Sequence, residues 1–473
     1  MPQTIDQLRE QYGARYKWLV LLTVMIGSVA AILSSTIVNV AVPDMSRHFT
    51  LGQERAQWVA TSFMLAMTLS MLITPWLLLR FGLRRTYTGA ILMLLIGGMA
   101  GGFSVNYPML ISMRVLEGLA AGIIQPIPAI VILRSFEEKE QGRAMGIFGF
   151  GVVLAPAVGP SVGGFLVEHF GWQSIFFVVV PFCLLVLVLI RRFLAINSPM
   201  MGASRLDWKG LLLAAVCTIS VLNGLVSLND NPILAAALLA LSLASFIGFV
   251  AYQRKAAAPL IDMKLFAYRQ FSMGALVAFI YGMALFGSTY LVPVYMQIGL
   301  RYAPSQAGLI LLPAGIALAL TIPAAGKMAD HFPPNILVAI GLGLLALSFG
   351  LMALGAPGTS YFTLMAWTII GRVGLGLVLP SLSLGSMRGV DFSLIAQGAS
   401  TISFVRQLGG AIGVSLVGIV LEWRMAAHQA GLPATPGGDA MQRLRAFDET
   451  FVLVACICAV AVLAAWRMQA KSE

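Results

Sequence analysis

The sequence predicts an all-α integral membrane protein of about 14 transmembrane helices, arranged as two six-helix bundles with two helices inserted between them. Three observations carry this expectation: the apolar composition, the spacing of charge-free runs, and an internal repeat. Of 473 residues, 59% are hydrophobic and only 10% are charged, with a mean hydropathy of +0.89. A soluble core cannot hide that much apolar surface. Charge-free runs long enough to span a bilayer, about 20 residues each, recur from residue 18 to residue 466. They leave no room for a separate catalytic domain.

Breaking these runs at charged or Pro/Gly-rich junctions starts spans near residues 18, 56, 86, 107, 141, 172, 207, 232, 270, 304, 335, 360, 394 and 449. The first run, 18 to 43, is longer than a signal-peptide core and lacks a cleavage site, so a retained span is expected. An even number of spans puts both termini on one side. Of the 30 Lys and Arg residues, 21 fall on that side, six on the other, and three (Arg114, Arg372 and Arg406) inside spans. Short cytoplasmic loops collect positive charge, so both termini are expected in the cytoplasm. The same bias accounts for the net charge of +11 without a nucleic-acid partner. The four cysteines lie in apolar runs, and the four histidines fall in widely separated loops, so neither a disulfide nor a metal centre is expected. No G-x-x-x-x-G-K-[ST] sequence occurs, which argues against ATP as the energy source.

The repeat appears in two pairs of segments. "RVLEGLAAGIIQP" (114 to 126) echoes "RVGLGLVLP" (372 to 380), and "LLLRFG" (77 to 82) faces "KMADHF" (327 to 332). Both pairs are separated by eight spans and about 250 residues. This divides the chain into an N-terminal bundle over 1–198, two inserted helices over 199–256 and a C-terminal bundle over 257–473.

Ionisable side chains inside a span cost about 3 kcal/mol or more and are functional candidates for that reason. Arg114 and Glu117 share a helix face one turn apart, and Gln125 continues the stripe two i+4 steps further on. Burial and Arg114 pull the protonation of Glu117 in opposite directions. The pair is therefore either a proton carrier with its partner or a structural ion pair. Arg372 holds the repeat-equivalent position, with Leu375 where Glu117 would be, and Arg406 also lacks a local carboxylate. If all four groups line a cavity, that cavity favours anionic, zwitterionic or neutral lipophilic compounds over dications. In "LSSTIVNVAVP" (33 to 43), Ser35 and Asn39 are i,i+4 partners beside Ser34 and Thr36. They form a stripe suited to a cavity, or else hydroxyls bonded back to their own helix.

Several of these segments resemble the fourteen-span drug/proton antiporter branch of the major facilitator superfamily, and the resemblance covers essentially the whole chain. The opening stretch is similar to the branch's first-span signature, L-D-x-T-I-V-N-V-A-x-P, with Ser34 where the pattern has Asp. "LAPAVGPSVGG" (154 to 164) resembles the fifth-span antiporter motif. There Gly151, Gly159, Gly163 and Gly164 allow a close helix approach, while Pro156 and Pro160 remove ladder hydrogen bonds and favour a bend. "LVPVYMQIGLRYAPSQAGLILLP" (291 to 313) and "RQLGGAIG" (406 to 413) match second-half segments. The loop after span two fits the superfamily's G-x-L-x-D-R-x-G-R-R pattern at Arg80, Gly82, Arg84 and Arg85. Leu79 takes the acidic position, and the second-half copy keeps Asp330.

The resemblance implies a secondary transporter in a bacterial cytoplasmic (inner) membrane that exports amphipathic, drug-like molecules in exchange for protons. It needs no bound cofactor, since the proton gradient supplies the energy. The family's arginine at position 114 is tied to proton transfer, and the missing acid at 34 shifts the expected carrier to Glu117, with Arg114 beside it. Ser34, Ser35, Asn39, Gln125, Arg372 and Arg406 are then expected around substrate. An exporter of a lipid or a lipophilic, anionic metabolite shares the fold and is the alternative. An enzyme is not expected, because no nucleophile with a base, carboxylate pair or metal cluster appears. Some family members work with a periplasmic adaptor and an outer-membrane channel; the loop 425–448 is either a contact for such a partner or a plain linker.

Overall fold

The computed structural model describes residues 5–195, 205–356, 358–429 and 438–468. Every regular element among the described residues is helical. A short helix, Ile5–Tyr12, precedes the long ones: α1 (Tyr16–His48), α2 (Gln53–Gly102), α3 (Tyr107–Ile124, continued by Ile127–Ser135), α4 (Glu138–Phe170) and α5 (Val179–Phe193). Next come α6 (Trp208–Val226), α7 (Pro232–Gln253), α8 (Arg269–Val294) and α9 (Pro304–Ala329). The chain continues through α10 (Pro334–Met352), α11 (Tyr361–Gly385), α12 (Ile395–Gln429) and α13 (Gly438–Trp466).

Among the described residues, 13 helices are long and apolar enough to cross a membrane. This agrees with about 14 spans because α2 carries two. Its 50-residue run is interrupted only at Gly82, where φ is 76° and ψ is 168°. That conformation is essentially reserved for glycine, so Gly82 separates the second span from the third. Local chemistry marks other boundaries. The Asn106 side chain accepts from the Met109 N–H at 2.9 Å to start α3, and Ser360 accepts from the Thr363 N–H at 3.2 Å to start α11. Gly171, at φ 80°, ends α4.

The chain divides into two compact units. The first holds Met1–Leu212, Tyr252–Asp262 and Asp391–Phe404; the second holds Leu213–Ala251, Met263–Val390 and Val405–Glu473. The expected boundary at 198/199 lies outside the described residues, as do 430–437 of the outer loop.

Within the first unit, α1 packs against α2, α3, α4 and α5. One end is filled by Ile37, Val38, Met45, Val59, Trp172 and Phe176. Helix α3 meets α2 almost backbone to backbone: a Cβ at Gly118 would lie 2.4 Å from Phe63 O, and one at Gly122 would lie 2.0 Å from Met67 O. Small residues allow such approach where lipid supplies no hydrophobic drive between helices. The second unit repeats the arrangement. A Cβ at Gly376 of α11 would lie 2.8 Å from Thr321 Cβ of α9. Gly376 and Thr321 are displaced from Gly118 and Phe63 by the same offset that relates Arg372 to Arg114. The sequence repeat is thus also a packing repeat.

Candidate functional site

The helical period places Arg114 and Glu117 on the face of α3 that meets α1 and α2. Both are fully enclosed, at 0% and 1% exposure, and Ser34 of α1 joins them at 2%. Arg114 Nη1 donates to Glu117 Oε2 at 2.7 Å, and to the backbone O and Oγ of Ser34 at 3.3 Å each. Its Nε donates to Val59 O of α2 at 3.0 Å, while the guanidinium lies 4.3 Å from the Phe63 ring centroid. Ser34 Oγ donates to Glu117 Oε1 at 3.1 Å. Arg114 Nη2 has no hydrogen-bond partner among the described residues. Three helices therefore close on one charge pair. Positions 34 and 117 border a single site.

The other polar residues of α1 behave differently. Ser35 Oγ and Thr36 Oγ1 both donate to Ile32 O, at 2.7 and 3.0 Å, so both are satisfied within their own helix. Asn39 is exposed one turn beyond Ser35, and Gln125 caps α3, half-buried.

The antiporter segment packs on α1. Ala155, Gly159 and Gly163 form the buried stripe of α4, at four-residue spacing, whereas Pro156 and Pro160 face outward. A Cβ at Gly151 would lie 2.8 Å from Met25 Sδ; at Gly159, 2.9 Å from Thr36 Oγ1; at Gly163, 2.7 Å from Ile37 Cγ1. Gly164 is looser, with Val40 at 3.9 Å. The helix runs unbroken through both prolines, and each leaves the carbonyl four residues earlier without its ladder donor.

In the loop between spans two and three, Arg80 lies over the rings of Trp76 and Phe81, 5.7 and 6.0 Å from the centroids. Thr86 Oγ1 bonds Leu77 O across the Gly82 break at 3.0 Å. Leu79 and Arg85 are exposed and Arg84 is half-buried, while in the second-half copy Asp330 caps the end of α9.

The second unit holds the remaining intramembrane charges. Tyr281 of α8 is buried and donates to Leu375 O of α11 at 3.3 Å, one turn beyond Arg372. Arg372 and Arg406 both lie within electrostatic reach of Tyr281. Helix α12 approaches α8 through the "RQLGGAIG" segment. A Cβ at Gly409 would sit 2.2 Å from Phe279 O, and one at Gly282 would sit 2.0 Å from Arg406 O. Among the described residues neither arginine makes a hydrogen bond or ion pair.

Sequence reasoning did not identify Val59, Phe63 and Tyr281 as parts of these sites. It also passed over "GGMAGG" (97 to 102), a dense small-residue signal. A Cβ at Gly97 would lie 2.6 Å from Glu117 Cγ, so that glycine makes the room Glu117 occupies.

Comparison with known proteins identifies the family. Residues 24–414 match the model of the Major Facilitator Superfamily. The chain belongs to the Major Facilitator Superfamily. A Multidrug resistance protein B homolog of Mycobacterium tuberculosis is 31% identical over 85% of this chain and 75% of its own length. The Lincomycin resistance protein LmrB of Listeria innocua is 26% identical, over 84% of this chain and 85% of its own. The solved structure of the proton:xylose symporter XylE superposes with a TM-score of 0.68 at 14% identity, covering 96% of each chain, a likeness of fold. These relatives place the protein in the drug-efflux branch of the superfamily, as the segments of spans one and five indicate. It is a multi-pass membrane transporter, and the members of this superfamily are carriers rather than enzymes.

Proposed function

We propose that this superfamily member exports amphipathic, drug-like molecules from the cytoplasm in exchange for protons by alternating access. Glu117 is the proton carrier and Arg114 its counter-charge. The observation that carries the reading is the Ser34–Arg114–Glu117 cluster: among the described residues Glu117 is the one carboxylate that is fully buried. Ionised, it neutralises Arg114 and accepts from Ser34. Protonated, it becomes a donor, and Arg114 loses its only carboxylate while remaining charged. A buried arginine without a counter-charge is costly, so proton loading disfavours the present packing of α1, α2 and α3 and drives their rearrangement. That is how a proton gradient can act on helix positions with no bound cofactor.

In this reading both termini face the cytoplasm of a bacterial cell, residues 199–256 form an inserted pair of linker helices, and the glycine stripe of α4 keeps the seam with α1 tight during exchange. Small lipophilic compounds, protons and the bilayer are the partners. A periplasmic adaptor with an outer-membrane channel is a further partner, contacted through the segment 425–448, whose two ends belong to α12 and α13 rather than to a loop.

The test is proton release or uptake by purified protein in liposomes on addition of candidate substrates, with and without Glu117→Gln. The variant is expected to abolish coupling while substrate still binds. Coupling that survives the substitution unaltered removes Glu117 from the role.

A further inference from the structure

The second unit carries two guanidinium groups inside its spans, Arg372 and Arg406, and among the described residues no carboxylate pairs with either. Arginine does not deprotonate in proteins, so both stay positive. The sequence from Arg269 to Ala329 contains no Asp or Glu, nor does the stretch from His331 to Val390 or from Phe392 to Leu421. Helices α8, α9, α10 and α11 therefore have no carboxylate, Glu422 stands near the end of α12, Asp230 precedes α7, and of the three on α13 (Asp439, Asp448, Glu449) Glu449 pairs with Arg424 and His428. Both arginines lie deep in the unit yet keep partial exposure, and Arg372 borders open volume.

Two helix faces converge on that volume. On α11, Thr368, Arg372 and Leu375 lie on one face at four- and three-residue spacing; on α8, Tyr281 and Ser288 are two turns apart on one face. A cavity between α8, α9, α10 and α11 is lined by Arg372, Ser288, Ser348 and Thr368 among mostly aliphatic side chains and Phe349. Each hydroxyl there already spends its proton on a backbone carbonyl: Ser288 on Leu285, Ser348 on Trp367 and Thr368 on Met365. Tyr281 spends its own on Leu375. What remains to donate into this region is guanidinium N–H. Arg406 is brought to the Tyr281 end by the glycine contact between α12 and α8.

We infer that the second unit contains an anion subsite, with Arg372 and Arg406 flanking Tyr281, which takes the carboxylate of an amphipathic organic acid whose apolar body lies along the aliphatic wall. The subsite names the substrate class of the transporter proposed above and rests on that reading. The ligand supplies the counter-charge that the chain omits. An empty site leaves two buried cations unpaired, whereas a bound carboxylate accepts charge-assisted, bidentate hydrogen bonds. A permanently cationic molecule of the same shape meets repulsion from both groups.

The test uses one scaffold with three heads: 4-(1-pyrenyl)butanoate, its primary amide and a pyrenyl trimethylammonium compound, with binding measured on the full chain in nanodiscs of zwitterionic lipid. Expected is carboxylate binding about tenfold or more tighter than the amide, with the cation weakest. Arg372→Gln and Arg406→Gln are each expected to remove most of that discrimination while leaving amide affinity within about twofold, and Lys at either position to restore part of it. Equal binding of carboxylate and amide by the unaltered protein overturns the proposal with no variant needed, as does discrimination that persists in both Gln variants. An anionic lipid headgroup shares this chemistry, so the series is repeated with phosphatidylglycerol in the disc. Discrimination that survives supports a transported acid, and its loss assigns the arginines to lipid and overturns the substrate assignment. Proton coupling is read separately with Glu117→Gln. Coupling that survives Glu117→Gln unaltered, with intact head-group discrimination, defeats the proton mechanism alone, whereas coupling lost in that variant with no head-group discrimination in the unaltered protein defeats the anion subsite alone.

Discussion

Moving the buried carboxylate from α3 to α1 should preserve the site. Glu117→Gln leaves Arg114 enclosed with no counter-charge, and breaking a buried pair in this way costs about 3–5 kcal/mol. Ser34 Oγ lies 3.3 Å from Arg114 Nη1 and 3.1 Å from Glu117 Oε1, so an aspartate at position 34 delivers its charge into the same space. A unit charge about 4 Å from the guanidinium is worth about 4 kcal/mol at an effective dielectric constant near 20. Ser34→Asp combined with Glu117→Gln is therefore expected to recover most of the loss. With Glu117 left in place, the same substitution sets two carboxylates side by side and destabilises. The sign of one substitution thus reverses with the residue at the other position, and the coupling energy across the double-mutant cycle should reach about 3 kcal/mol, the upper end for contacting residues. Reversible SDS unfolding of the four proteins measures it, and substrate-induced proton release in liposomes shows whether the transplanted acid also restores exchange. If Ser34→Asp has the same effect in both backgrounds, the two positions do not share a site and the reasoning fails.

Three further outcomes follow from contacts described above. Gly122→Val should destabilise by about 3 kcal/mol and lower folded yield in detergent, because its Cβ would lie 2.0 Å from both Met67 O and Ser70 Oγ. Gly82→Ala should cost about 1–3 kcal/mol in the same unfolding assay, since φ 76° with ψ 168° is a glycine conformation; a neutral result would mean that the chain there turns in some other way. Gly159→Leu crowds Thr36 across the α1–α4 seam, where a Cβ alone comes within 2.9 Å, and should slow turnover about tenfold with KM little changed, as read by liposome transport.

The architecture was legible because the bilayer constrains a sequence harshly: a span must be apolar, and its loops must carry the charge bias. Only the junction at Gly82 blurred the count, since a short stretch of loop chemistry sits inside a nearly continuous helix. The site was legible in part. Arg114 and Glu117 stand out as charges in an apolar run, and their spacing gives the pair. Their third partner does not stand out, because contact between Ser34 and Glu117 depends on how two helices separated by 83 positions cross. The hydroxyls at 35 and 36 show the same limit. Periodicity places them in a polar stripe, but a serine or threonine in a helix can turn its proton back to the preceding turn, and both do. Tyr281 was hidden because one tyrosine in a greasy run reads as core until the two arginines beside it come from distant helices.

Helix α1 carries the seam with α4 on Leu33, Thr36 and Ile37, and the hydrogen bond to Glu117 on Ser34, the residue between them. Adjacent positions of one rigid rod thus report to two different neighbours. Along the seam α4 offers mostly glycine, which has no rotamers to rearrange, so α1 can shift by a fraction of a turn with little side-chain rearrangement on that side. The same shift on the α3 side moves the serine hydroxyl off a carboxylate it reaches at 3.1 Å, a distance with little slack. Mechanically the helix is a lever with a smooth bearing on one face and a catch on the other, so a displacement too small to disturb the seam is enough to release the catch.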